Sequence, residues 1–253
     1  MTEVFLKGPT GRLEGQYHQS VKHDAPVVLV LHPEPQEGGT MNNRVVYDVY
    51  KSFVKNGFSV LRINFRGVGK SQGVFSKDEG ELSDATAALD WLHSRNMGSR
   101  SFWIAGFSFG AWVALQLVMR RPELEDYVLI APPVRKKDFN FIVPSLASGL
   151  IVHGDNDEVA CEDIIHDMVD KLISKSESKV DYYTIEGADH FFRDYHNELN
   201  EIVDNHIQKR ILENMGKHRK IKRDRRRRRK KKREETVDDR PIYIDPIKPL
   251  DFD

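Results

Sequence analysis

One serine of the sequence stands between two glycines in a setting that favours nucleophilic chemistry. Ser108 lies in the stretch WIAGFSFGAW, with Gly106 two residues before it and Gly110 two residues after it. An apolar run typical of a strand precedes the serine, and one typical of a helix follows it. Glycines at these positions remove side chains that would clash where a strand turns directly into a helix. The pattern predicts an exposed nucleophilic hydroxyl; the alternative is an idle serine in a glycine-rich turn.

Acyl transfer also needs hydrogen-bond donors for the oxygen that becomes negatively charged. The amide of Phe109 follows the serine and opens the predicted helix, whose positive end favours an anion. A second donor is expected from the loop HPEPQEGGT that follows the apolar run VVLVL. Pro33 and Pro35 carry no N–H, so elimination leaves the amide of Glu34, with that of Gln36 as the alternative.

A serine hydroxyl becomes reactive when a base removes its proton and an acid orients that base. In chains with this kind of serine turn, the acid and then the base follow the serine in sequence. The strand-like run GLIVHGD is followed by two candidate acids, Asp155 and Asp157. We favour Asp157, which stands further from the strand and has more freedom to reach a base, and expect Asp155 to fix the loop.

The candidate bases are the histidines that follow the predicted strands. His190 lies in the loop after the run VDYYTIEG, at the same sheet edge as the acids, whereas His196 falls inside or just before the last predicted helix. We therefore favour His190 as the base. His32 is expected to hold the loop after VVLVL, and His153 to cap its strand.

The elements that must position these residues alternate along the chain. The stretch VFLKGPTGRLEGQYH predicts a hairpin that turns at GPTG. Apolar runs then predict buried strands separated by helices, the first of which covers TMNNRVVYDVYKSFVKNG with Thr40 as its cap and Gly57 as its stop. Strands alternating with helices indicate a doubly wound, mostly parallel α/β sheet. The later predicted helices cover 81–94, 110–121, 161–173 and 197–215.

Several motifs together resemble the α/β-hydrolase superfamily, and more narrowly its small, lidless bacterial serine hydrolases. The similarity runs from about residue 3 to 215 and includes AGFSFGAW, NFRGVGKSQG and HGDNDEV. The resemblance implies Ser108 as nucleophile, Asp157 as acid and His190 as base. It also implies that the amides of Phe109 and Glu34 bind the oxyanion, and that the substrate is a small acyl compound.

The sequence departs from this family at two places. HPEP stands where related chains often have HPHP, which places the Glu34 carboxylate near the expected oxyanion site. Only about fifteen residues separate LIAPP from GLIVHGD, so at most one short helix fits where many relatives carry a lid. The site should therefore be open, and the cations Arg135, Lys136 and Lys137 near its rim are either solvated or favour an anionic substrate.

No cofactor or metal is expected from the motifs. The stretch RGVGKS resembles a phosphate-binding loop, but that motif needs a glycine where Asn64 stands. No cluster of histidine, cysteine and aspartate has metal-ligand spacing. We interpret the loop as the floor of a pocket.

Charge divides the chain near Gly216. Residues 1–216 contain 23 basic and 31 acidic residues, and residues 217–253 contain 16 and 8. We therefore predict a hydrolase domain over 1–216, a disordered or frayed polybasic segment over 217–233 and an acidic, proline-containing tail over 234–253. The sequence shows neither a signal peptide nor a run of about 18 apolar residues, and its single cysteine suits a reducing compartment, so we expect a cytoplasmic protein.

The basic segment supports a second functional hypothesis. Fourteen basic residues against one acidic residue within 217–233 would attract a polyanion such as RNA or an anionic membrane, unless the segment only aids solubility. The chain would then be a weakly active or inactive hydrolase-fold binding protein that this segment tethers to RNA, a ribosome or a membrane.

We predict that removing residues 217–253 abolishes salt-sensitive RNA binding. Each phosphate that a lysine or arginine neutralises releases counterions, so the affinity of the full chain should fall steeply as salt rises. A titration of fluorescent single-stranded RNA at several salt concentrations measures both effects. Equal affinities for the full and shortened chains would dismiss the tether.

Overall fold

The protein is described here by a computed structural model. The chain divides into two units, Met1–Gln208 and Lys209–Asp253, and the structure describes residues 209–214 of the second. The predicted boundary near Gly216 and the segments 217–233 and 234–253 lie outside the described residues. The described residues are 1–76, 78–99, 101–143, 145–160, 162–174 and 179–214.

The first unit is built on one eight-stranded sheet with helices between the strands. The strands are β1 (Thr2–Gly8), β2 (Gly11–His18), β3 (Val27–Leu31), β4 (Ser59–Ile63), β5 (Phe102–Phe107), β6 (Leu124–Ile130), β7 (Ser148–Gly154) and β8 (Val180–Ile185). The helices are α1 (Arg44–Lys55), α2 (Glu79–Arg95), α3 (Phe109–Val118), α4 (Glu162–Ser174) and α5, whose residues 196–208 belong to this unit.

The strand order confirms the predicted fold class. The strands lie in the order β1-β2-β4-β3-β5-β6-β7-β8. The pairs β1–β2 and β2–β4 are antiparallel, and every pair from β4 to β8 is parallel. The predicted hairpin at GPTG is therefore correct, and the rest is the predicted doubly wound, mostly parallel α/β sheet. Its parallel strands place their carboxyl ends along one edge.

Burial follows the apolar runs of the sequence. Every residue of β3, β4, β5 and β7 is buried, as expected for strands covered by helices on both faces. The edge strand β1 is mostly exposed. Trp103 of β5 is packed edge-on against Phe53 of α1 and Phe58 before β4. Among the described residues, no helix is long and apolar enough to cross a membrane.

The cap predicted for α1 is wrong by three residues. The helix begins at Arg44, and the side chain of Asn43 accepts a hydrogen bond from the Val45 amide. The Thr40 hydroxyl instead accepts from the amide of Asn42, 3.2 Å away, inside the preceding turn. Serine, threonine and asparagine are all good caps, so residue type alone did not distinguish the two positions.

The pairing of β5 with β6 is irregular at one end only. Phe102 lies opposite Leu124 and Trp103 lies opposite Asp126, so β6 contains one extra residue there. From Trp103 onwards the register is continuous, and Phe107 lies opposite Ile130 at the carboxyl end. The irregularity therefore lies at the sheet edge away from the strand carboxyl ends.

A buried histidine of α5 joins the helix to the sheet. Nε2 of His206 lies 3.0 Å from the Asp126 carboxylate, and Nδ1 lies 3.0 Å from that of Asp181. The imidazole side chain is 2% exposed, and the Asp126 side chain is fully buried. Because a buried carboxylate that loses a hydrogen-bond partner is costly, this contact should contribute strongly to stability.

We predict that His206→Ala lowers the free energy of unfolding by about 3 kcal/mol, because it leaves the buried Asp126 carboxylate without the imidazole. Urea denaturation followed by circular dichroism measures the change. His23→Ala, at an exposed histidine, is the control and should change stability by less than about 0.5 kcal/mol. Equal stabilities of the two variants would contradict the prediction.

Candidate active site

The residues singled out by the sequence lie in loops at the carboxyl ends of four strands. Ser108 follows β5, Asp157 follows β7 and His190 follows β8. Glu34 follows β3, between β4 and β5 in the sheet. Side chains separated by up to 156 positions in the sequence can therefore meet at one edge of the sheet.

The backbone at Ser108 has the strain that the two glycines predict. Its φ is 51° and its ψ is −118°, which a residue with a Cβ rarely adopts. A Cβ at Gly106 would overlap the Gly110 carbonyl, and a Cβ at Gly110 would overlap the Leu31 carbonyl. The Ser108 amide donates to the Ile130 carbonyl of β6 at 2.8 Å. Close packing of β5, α3 and the neighbouring strands thus holds the serine in this conformation.

The three predicted side chains form a continuous hydrogen-bonded chain. Nε2 of His190 lies 2.9 Å from the Ser108 hydroxyl. Nδ1 of the same ring lies 2.7 Å from a carboxylate oxygen of Asp157. The ring is packed between Phe107 and Phe191, with centroids 5.2 and 5.3 Å away. The imidazole can therefore accept a proton from the serine while the carboxylate holds its other side.

The carboxylate of Asp157 is buried and strongly bound. Its Oδ1 accepts hydrogen bonds of 2.8 Å from the amides of Val159 and Ala160. Burial alone would raise the pKa of Asp157, but the hydrogen bond with His190 and those two amides outweigh it and lower the pKa below its ordinary value. Asp157 thus remains ionised and able to orient the imidazole.

The competing candidates have other partners. Asp155 accepts a 2.6 Å hydrogen bond from the Gly187 amide, so it ties the loop after β7 to the loop after β8. His196 lies at the start of α5, and its Nδ1 is 3.2 Å from the carboxylate of Asp48 in α1. His153 is buried in β7, where Nε2 lies 2.6 Å from the Tyr182 hydroxyl.

The loop after β3 carries Glu34, whose amide is the predicted second oxyanion donor. Pro35–Glu37 form one 3-10 turn, and Glu34 precedes it in an extended conformation. The Glu34 carbonyl accepts from the Gly39 amide at 2.9 Å, which closes the loop. Within the described part of the chain, the amides of Glu34 and Phe109 donate to no backbone carbonyl. Both remain able to donate to a ligand.

His32 fastens this loop to the end of β4. The Phe65 amide donates to its Nε2 over 3.1 Å, so the proton of the neutral ring is on Nδ1, which donates to the Pro33 carbonyl over 2.6 Å. Complete burial lowers the pKa of His32 to about 4, although the bond to Pro33 opposes this. The imidazole is therefore neutral at neutral pH, and the sequence interpretation of His32 as a loop holder is consistent with its contacts.

The segment between β6 and β7 contains no helix in its described residues, 131–143 and 145–147. It is joined to α3 by a 2.8 Å hydrogen bond from the Trp112 indole N–H to the Asp138 carbonyl. Lys136 and Lys137 of this segment have acidic partners: Lys136 contacts Glu37 at 2.6 Å, and Lys137 contacts Asp78. The sequence indicated these two cations but not the acidic side chains with which they pair.

The loop RGVGKS is part of the scaffold. The amide of Lys70 donates to Glu14 of β2 at 2.7 Å, and the Lys70 ammonium pairs with Glu3 of β1. Asn64 bonds to the same Glu14 carboxylate at 2.8 Å and accepts from the Met41 amide. These contacts give the loop a structural role between β2 and β4.

Comparison with known proteins identifies the family of this chain. The family described as X-Pro dipeptidyl-peptidase (S15 family) matches residues 19–229. The chain belongs to this family. The match extends over all the site residues and most of the described structure.

Two solved structures define the branch more narrowly. An α/β hydrolase of unknown function from Agrobacterium tumefaciens is 46% identical, with a TM-score of 0.81 over 83% of this chain and 97% of that one. An α/β serine hydrolase without a lid from Xanthomonas campestris is 30% identical, with a TM-score of 0.73 over 82% of this chain and 94% of that one. The resemblance to small lidless α/β serine hydrolases is thereby confirmed.

A more distant relative carries a name that includes an activity. The lysophosphatidylserine lipase of Rattus norvegicus is 30% identical over 133 residues, which are 51% of this chain and 32% of that protein. Its match thus covers about a third of the lipase. Together the comparisons make this chain a hydrolase of the α/β fold.

We predict that His32 makes stability depend on pH between about 6.5 and 4. The folded state holds the neutral ring, so its stabilising contribution is complete above pH 6.5 and is lost as pH falls towards about 4. A shift of this size corresponds to about 3 kcal/mol. Urea denaturation from pH 7 to 4.5 should show a smaller loss for His32→Gln than for the unaltered chain; equal losses would contradict the assignment.

Proposed function

We propose that this hydrolase cleaves a carboxylic ester or thioester of a small acyl substrate through an acyl-enzyme intermediate. The observation that carries the proposal is the hydrogen-bonded chain from Ser108 through His190 to Asp157, with distances of 2.9 and 2.7 Å. Nucleophile, base and orienting acid all lie within direct hydrogen-bond distance, as this chemistry requires.

Acylation begins at the serine. Nε2 of His190 accepts the proton as the Ser108 oxygen bonds to the substrate carbonyl carbon. The resulting tetrahedral intermediate collapses when the imidazolium protonates the departing alcohol or thiol. Asp157 stabilises the imidazolium through Nδ1 and keeps the ring in place. In the second half, the same imidazole removes a proton from water, which attacks the acyl-serine. The imidazolium then returns that proton to the Ser108 oxygen as the acyl–oxygen bond breaks, and the acid is released.

The developing oxyanion is bound by the amides of Phe109 and Glu34. Phe109 opens α3, so its N–H points out of the positive end of a helix. Glu34 precedes the 3-10 turn in the loop after β3, and β3 is the strand next to β5 in the sheet. Preorganised donors of this kind contribute about 10²- to 10³-fold each to the rate.

The names of the relatives point both ways, since the rat relative is a lipase by name and the family description names a peptidase. An ester or thioester is preferred to an amide on chemical grounds. Resonance makes an amide carbonyl less electrophilic, and an amine leaves only after protonation, so cleavage of an amide asks more of substrate binding. The short segment between β6 and β7 leaves little enclosing surface for such binding.

We predict that Ser108→Ala reduces hydrolysis of p-nitrophenyl acetate to background without altering the fold, because it removes the nucleophile. Initial rates measure the effect, and a fluorophosphonate probe should label the unaltered chain and leave Ser108→Ala unlabelled.

Ser94→Ala is the matched control, since Ser94 is exposed on α2 and bonds to the Trp91 carbonyl. It should retain full activity and labelling. Turnover by Ser108→Ala at the unaltered rate would refute the proposed mechanism, and absence of both turnover and labelling in the unaltered chain would refute the proposed function.

A further inference from the structure

A lysine from the segment between β6 and β7 lies near the side chains of Phe109 and Glu34, the two residues whose amides are the proposed oxyanion donors. The Lys137 ammonium lies 4.9 Å from the ring centroid of Phe109 and 5.1 Å from that of Trp112. It pairs with Asp78, and its nitrogen is 3.9 Å from a carboxylate oxygen of Glu34. Its side chain is 17% exposed. A largely buried positive charge is thus held between the residue after the nucleophile and the loop after β3.

The negative charge of the Glu34 carboxylate has little compensation besides Lys137 among the described residues. Its side chain is 20% exposed, and its Oε1 is buried without a hydrogen-bond partner among the described residues. Burial raises the pKa of Glu34; Lys137 and the Gln36 amide lower it, and the neighbouring charges of Asp78 and Glu37 raise it further. Lys137 is the cation that faces this carboxylate.

We propose that Lys137 is a positioning residue that offsets the charge of Glu34 beside the oxyanion hole. The inference rests on the proposed function, in which the Glu34 backbone binds the oxyanion. It explains how the chain tolerates HPEP in place of HPHP. The same residue supplies an N–H that stabilises negative charge and a carboxylate that repels it, and Lys137 cancels the second effect.

The size of the effect follows from the distances. The Glu34 amide and carboxylate belong to the same residue, so an oxyanion bound by that amide would lie within reach of the carboxylate's field. Two negative charges this close, in surroundings only partly screened by water, raise the barrier enough to slow the reaction about ten-fold. The cost falls on the transition state, because the substrate carbonyl is neutral before attack.

A variant of Lys136 is the control that distinguishes this electrostatic role of Lys137 from a purely structural one. It belongs to the same segment and pairs with Glu37 at 2.6 Å, but both side chains are about half exposed or more. An exposed ion pair contributes little. Lys136→Gln therefore removes a neighbouring cation and a comparable loop contact without removing the charge that faces Glu34.

The test measures kcat and KM for p-nitrophenyl acetate. Lys137→Gln should lower kcat about ten-fold with little change in KM. Adding Glu34→Gln should restore kcat, because it removes the carboxylate charge that Lys137 offsets. Lys137→Arg keeps the charge and should retain most of the activity, and Lys136→Gln should match the unaltered chain.

The outcomes separate this inference from the proposed function. An unchanged kcat in Lys137→Gln would overturn it. So would a double variant as slow as Lys137→Gln, or rescue by Asp78→Asn in place of Glu34→Gln, because Lys137 would then act by holding the segment. Circular dichroism of each variant checks its folding. Loss of Ser108-dependent turnover and fluorophosphonate labelling in the unaltered chain would instead refute the function itself.

Discussion

The strained backbone of Ser108 is the constraint on which the rest of the structure depends. A φ of 51° at a residue with a Cβ costs about 1 to 3 kcal/mol, and it persists only where the surroundings leave no alternative. Here the surroundings are a fully buried β5, a helix that starts at the next residue and two glycines that allow both to approach. The Cβ of Ser108 therefore has one position relative to the sheet, and the other site residues must lie within reach of the hydroxyl that it carries.

The other site residues lie in separate loops that hydrogen bonds join to neighbouring strands and loops. His32 joins the loop after β3 to the end of β4, and Asp155 joins the loop after β7 to the loop after β8. Neither residue needs to touch a substrate. The described residues form no large lid over this edge. The geometry of the site therefore depends on such bonds between loops, and on the short segment that Trp112 holds at Asp138.

Much of this architecture could be predicted because it follows from local patterns. Apolar runs gave the buried strands, and the strand-to-helix turn around Ser108 required its glycines. That Asp157 and His190 would lie near the serine follows from the shared edge of parallel strands. Residue type could not distinguish Thr40 from Asn43 as a cap. The contacts of Lys137 could not be predicted either, because Glu34 is 103 positions away in the sequence and their approach depends on how two loops fold.

The extra residue in β6 has a consequence for how the chain tolerates change. It is absorbed next to Phe102, about five residues before the turn that carries the serine, and the register is regular again by Phe107. An extra residue at the amino-terminal end of a strand therefore need not displace the carboxyl end of the sheet, where Ser108 lies. An insertion at the opposite end, between Phe107 and Ser108, would break the amide link to Ile130 and displace the hydroxyl. The amino-terminal end of the β5–β6 pair thus accommodates an extra residue, whereas the carboxyl end is where an added residue would displace Ser108.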